Sequence, residues 1–180
     1  MTWNSFHRRG EVLRDVTATA DVRRDGLLPM DVPGVAETFA DELALLGALQ
    51  LRWHTRLSGR IERALMNQPM NLEQAVITAW QGTADELPGI HAIVDHYRSA
   101  PTDATMAEAM AKSAAKERIL LAVMAGRSSA HDAQAARVGQ QIERRARRSH
   151  RQAVTSPPAR GAHRDANAGL LDKIKAALVA

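Results

Sequence analysis

The sequence predicts an all-α fold, a helical bundle of about five to six helices around a long central helix, and three observations predict it. Alanine, the best intrinsic helix former, occurs 33 times in 180 residues. Apolar residues recur at three- and four-residue steps through the first two-thirds of the chain. No segment alternates apolar and polar residues over the length of a strand, and aromatic residues make up only 3%, so a β core has little to be built from.

The first element is expected from about Asn4 to Arg24, with Thr2, Asn4 or Ser5 as N-cap and Trp3, Phe6, Leu13, Val16 and Ala20 on one stripe. Asp25-Gly26 ends it, and Pro29 lies in a short connection. Asp31 and Pro33 open a second helix, expected over residues 34–67, roughly 50 Å at 1.5 Å per residue. Its stripe is Val35, Phe39, Leu43, Leu46, Trp53, Leu57, Ile61 and Ala64, and between Leu43 and Leu51 only Gln50 is polar. A helix apolar nearly all round is covered on several sides, so this is the expected centre. Gly47 and Gly59 in its interior cost about 1 kcal/mol each against alanine, which a close neighbouring helix or a kink would explain.

Asn71, with Gln74 three residues on, forms a capping-box pattern after Pro69 and starts a third helix, Leu72 to about Gln81. Gly82 to Asp85 reads as a turn, and Pro88 sits in the first turn of a fourth helix that ends before Pro101. Thr102 or Asp103 caps a fifth, with Met106, Met110, Ala114, Leu121 and Met124 on one side, closed by Gly126. Ser128 or Ser129 opens a sixth, to about His150, with a thin stripe of Ala135, Val138, Ile142 and Ala146. The domain reading is a bundle over 1–127, a basic helix over 128–150, a flexible linker over 151–168 rich in Pro, Gly, Ser and Thr, and a short amphipathic helix over 169–180.

Charge separates these parts. Residues 1–125 carry 13 Lys/Arg against 16 Asp/Glu, and residues 126–180 carry 11 against 4, together the formal +4 of the chain. The absence of cysteine excludes disulfides, thiolate metal sites and a cysteine nucleophile, and fits a cytoplasmic protein. Glu11 and Asp15 interrupt any signal sequence, and no apolar run approaches the roughly 20 residues of a membrane span.

The candidate contact residues lie in the C-terminal third. Arg144, Arg147, Arg148 and Arg151 share a helical face and suit an acidic protein or, without sequence preference, a nucleic-acid backbone, since no aromatic residue lies nearby to stack on bases. Solvated cations near a helix C-terminus are the plainer explanation. Leu170, Ile174 and Leu178, four residues apart, are expected either to fold back or to dock in a groove of another protein. A helix-turn-helix over the third and fourth helices is rejected because no Lys or Arg occurs between Arg63 and Arg98.

Catalytic signals are missing: Ser58 beside His54 is ordinary helix chemistry, and there is neither a phosphate loop nor a nucleophile elbow. His91 and Asp95, one turn apart, read as a local ion pair, and His54, with Glu42 three turns away, reads as half-buried. The Glu-x-x-His repeats of a bundle metal site do not occur, so no metal or other cofactor is expected. Met66 with Met70, and Met106 with Met110, read as core filler. The leading expectation is a non-enzymatic interaction or regulatory protein contacting another protein through its C-terminal region. Nonspecific nucleic-acid association and a metal- or cofactor-binding bundle are the alternatives, and homo-oligomerisation through the central helix is open. This view makes residues 1–127 a self-contained body and leaves the arginine-laden remainder free, with Ile142 and Ile174 uncovered.

Overall fold

A computed structural model describes residues 3–67 and 69–155. Seven helices and no strand lie among the described residues: α1 Trp3–Arg23, α2 Val35–Thr38, α3 Glu42–Met66, α4 Leu72–Glu86, α5 Pro88–Ser99, α6 Ala104–Met124 and α7 Ala135–Thr155. The all-α bundle expected from the sequence is the fold found. Its chain divides into two units, Met1–Arg148 and Ser149–Ala180, and the described part of the second, residues 149–155, is helical.

Short-range chemistry sets most helix starts. The side chains of Asp41, Asn71 and Asp103 accept from the backbone N–H of Ala44, Gln74 and Met106 at 2.7, 3.0 and 2.8 Å, each supplying a partner to a donor that the first turn leaves open. Pro88 occupies the first turn of α5, where its missing N–H costs nothing. Gly126, at φ 66°, makes the left-handed turn that ends the chain path of α6.

Three boundaries differ from expectation, and one is at α7: the helix expected to open at Ser128 or Ser129 and end near His150 begins at Ala135 and runs to Thr155, into the anticipated linker. The long second helix is in fact two, because Phe39 leaves α2 in an extended conformation and Asp41 recaps the chain as α3. The α4 helix runs through Gly82 to Glu86, its Thr83 hydroxyl donating back to the Ala79 carbonyl at 2.8 Å, so the anticipated turn reduces to the single joint at Leu87.

The centre of the fold is α3, which touches α1, α4, α5 and α6. It buries Leu45, Leu46, Leu49, Trp53, Leu57 and Ile61. Full burial of one such side chain stabilises by about 1.5–3 kcal/mol relative to exposure. Covering is not complete: Leu51 is 68% exposed. No neighbouring side chain approaches Gly47 or Gly59, so close helix contact is not the reason for either glycine. Met106 and Met110 do fill the core, whereas Met66 and Met70 are exposed.

The body does not stop at residue 127. Ala135, Ile142 and Ala146 of α7 are buried, with Ile142 2% exposed, and α7 closes the unit that runs to Arg148. The expectation of an uncovered Ile142 is therefore corrected. The physical reason is Gly139, where an added Cβ would lie 1.7 Å from the Arg118 carbonyl oxygen of α6. A stripe of small residues looks thin in sequence, yet it lets two helix backbones nearly touch. Residues 156–168, and with them most of the anticipated linker, lie outside the described residues, as does the segment with Leu170, Ile174 and Leu178. No helix among the described residues is long and apolar enough to cross a membrane.

Candidate functional site

Charged side chains gather where α3 to α7 converge. Glu117 of α6 is 2% exposed and accepts from three helices: Arg98 Nη2 at 2.5 Å, Trp80 Nε1 at 3.2 Å and His54 Nε2 at 3.3 Å. Glu143 of α7, also buried, accepts from Arg147 Nε and Arg118 Nε at 2.9 Å each and from Arg98 Nη1 at 3.3 Å. Arg147 then holds Asp95 with both Nη atoms, at 2.6 and 2.7 Å. Its guanidinium also lies over the Trp80 ring, 5.1 Å from the centroid. Trp80 meets Trp53 and His91 edge-on, and Trp53 and His91 stack at 5.4 Å.

Three arginines thus face three carboxylates in one chain of contacts. Burying charge is expensive, and this geometry meets the expense with matched, hydrogen-bonded counter-charge. Burial alone raises the pKa of the Glu117 carboxyl, but the hydrogen bond from His54 and the charge and hydrogen bond of Arg98 outweigh it and bring it down to about 2. Burial disfavours the Arg147 cation, and Asp95 and Glu143 more than restore it, so its pKa is raised. The network is a bolt across five helices.

The predicted four-arginine face is divided by this arrangement. Arg147 turns inward, half-buried, into the network. Arg144 and Arg148 are exposed, and among the described residues neither has an ion-pair partner. Arg151 is exposed and belongs to the second unit. Arg145, outside the predicted set, pairs with Glu73 of α4. The histidine expectations fare unevenly. His91 and Asp95 do pair, at 3.4 Å, and His54 is half-buried as expected, but it contacts Glu117, a partner 63 residues away that local spacing cannot reveal. Among the described residues no three His, Asp or Glu side chains form a group fit to hold a metal.

A second basic feature lies on the outer surface of α3 and was missed from sequence. Arg52, Arg56, Arg60 and Arg63 follow one another at four-, four- and three-residue steps, which place them on one face. That spacing was the available signal, hidden because no two of these arginines are adjacent in the sequence. The row borders a trough of about 590 Å³ lined by Arg52, Thr55, Arg56, Gly59, Arg63 and Glu86, among others. A second hollow of about 460 Å³ shares Arg56 and Arg63 and reaches Thr78 and Ala79 of α4. Glu86 pairs with Arg56 and, at 2.6 Å, with Arg60. The hydrogen bond from Arg56, opposed by modest burial and aided by Arg60, lowers the pKa of its carboxyl. Neither Arg52 nor Arg63 has an ion-pair partner among the described residues.

No protein-family model matches the chain, and no curated protein or solved structure matches it either.

Proposed function

We propose that this chain is a non-enzymatic interaction protein whose body is a rigid helical platform and whose outward α7 arginines meet an acidic protein. The observation that carries the reading is the division of α7. One face is fixed by Ile142, Ala146 and the Glu143–Arg147 contacts, while Arg144 and Arg148 stand on the other, exposed and without ion-pair partners among the described residues. A helix held this firmly presents its arginines in a preset orientation, which lowers the ordering cost of a bidentate contact with a carboxylate. Two arginines one turn apart make a point contact, better matched to a pair of acidic side chains than to a long polyanion. The arginine contacts of Glu117, Glu143 and Asp95 give these carboxylates a structural part, which supports a non-catalytic reading. Leu170, Ile174 and Leu178 enter the reading from sequence alone, as an apolar contact for the same partner.

The test is affinity purification with quantitative mass spectrometry on the full chain, the Arg144→Ser/Arg148→Ser variant and a chain ending at Ala153. The expected result is an acidic protein recovered by the full chain and depleted at least tenfold in both altered forms. Identical recovery by all three overturns the reading. Both arginines are exposed, so circular dichroism of the double variant should match that of the parent.

A further inference from the structure

We infer that the arginine row on α3 is a binding trough for the phosphate backbone of single-stranded nucleic acid, separate from the α7 surface. The charge balance is the first support. Four arginines, Arg52, Arg56, Arg60 and Arg63, face a single carboxylate in the row, Glu86, which braces Arg56 and Arg60. Glu62 lines neither hollow and takes the Ser58 hydroxyl at 3.1 Å. The buried network shows that this protein matches its arginines one for one where they serve the fold. The α3 row is left with excess positive charge on a concave surface.

Gly59 is the second, independent support. It lines the trough between Arg56 and Arg63, and nothing lies within 4 Å of where its Cβ would be. Packing therefore does not require glycine there, in a helix position where alanine is favoured. A glycine flanked by arginines lowers the floor of the trough, so that a phosphate can come close to the helix while guanidiniums reach it from either side.

Shape and wall chemistry choose the ligand. The charges are strung along about 16 Å of helix, eleven residues at 1.5 Å, and do not converge on one point. Steps of about 6 Å suit a chain bearing one phosphate per repeat. No aromatic side chain lines either hollow, so there is nothing to stack a base or hold a lone nucleotide by its ring. Contact is with the backbone and independent of sequence. The opposite wall comes from α4, where Thr78, Ala79 and Glu86 line the hollows and which has no Lys or Arg. That wall offers no cation to a second phosphate row and so favours one strand over a duplex.

Fluorescence anisotropy with a labelled twenty-residue oligothymidylate and the full chain tests the inference. Binding at low salt should weaken as salt rises, because each phosphate neutralised on a single strand adds about −0.7 to the slope of log affinity against log salt. Arg52→Gln/Arg63→Gln should lose at least tenfold in affinity and flatten that slope by about 1.4, two contacts at about 0.7 each. Gly59→Ala should bind at least threefold more weakly while melting at a higher temperature, a combination that a purely structural role would not give. Arg144→Ser/Arg148→Ser should bind like the parent. The inference is overturned if the parent fails to bind at low salt, if Arg52→Gln/Arg63→Gln binds as the parent does, or if the α7 variant is the one that loses binding. Equal displacement of the oligonucleotide by poly-glutamate and by unlabelled duplex DNA at matched charge would overturn it too.

Discussion

The seam between α6 and α7 and the outer face of α3 are both built around arginine, and they treat it oppositely. In the seam, Arg98, Arg118 and Arg147 are matched by Glu117, Glu143 and Asp95, with Glu117 and Glu143 buried at its centre. On α3, a row of four arginines has one glutamate beside it, which pairs with two of them. Arginine density along the chain does not separate these cases. The densest run, residues 144–151, is split between interior and exterior, while the dispersed row on α3 forms one surface. Counter-charge from elsewhere in the fold decides whether an arginine holds the protein together or remains open to a partner.

The largest effect that could break the comparison is at Glu117. Replacing it with Ala leaves Arg98, His54 and the Trp80 N–H buried without their common acceptor, and should destabilise by about 3–5 kcal/mol in urea unfolding. A loss below about 1 kcal/mol would mean that the network is incidental. Acid titration sharpens the same point by a somewhat smaller amount. Because the folded-state pKa of Glu117 is lowered from 4.5 to about 2, the unfolded chain takes up the proton first as pH falls. The stabilisation is complete above about pH 4.5 and disappears toward pH 2, roughly 3 kcal/mol in all. Glu117→Gln should abolish that portion of the pH dependence, as read from denaturant midpoints at each pH. The α3 face should give the smallest change and the opposite sign. Gly59→Ala should stabilise by up to about 1 kcal/mol, seen as a higher melting temperature, since the added methyl meets nothing.

Much of the fold was legible because it is written locally. The Asn71 and Asp103 caps, Pro88 in a first turn and the buried stripe of Trp53, Leu57 and Ile61 all follow from residues within a few positions of one another. Even the joint that sequence reading missed, Asp41, carries an ordinary capping signature, masked by the apolar residues on both sides. The seam was not legible. Arg98 and Glu143 are 45 residues apart and Arg147 and Asp95 are 52 apart, so their pairing depends on how α5 and α7 are laid together. The closeness of α7 to α6 rests on Gly139, whose missing side chain reads in sequence as weakness and works in the fold as clearance. The α3 row could have been seen by marking every fourth residue, but its excess charge emerges only once Glu86 is known to be the acid beside it.

Native-state amide hydrogen exchange at Ile142 and Ala146, compared with Leu46 and Leu49 of α3, tests most directly whether α7 is bolted into the body. The account predicts protection within about tenfold of the α3 amides, with both sets opening only in global unfolding. Exchange at Ile142 and Ala146 a hundredfold or more faster than in α3 would contradict it and make the basic helix the loose arm that its composition first suggests.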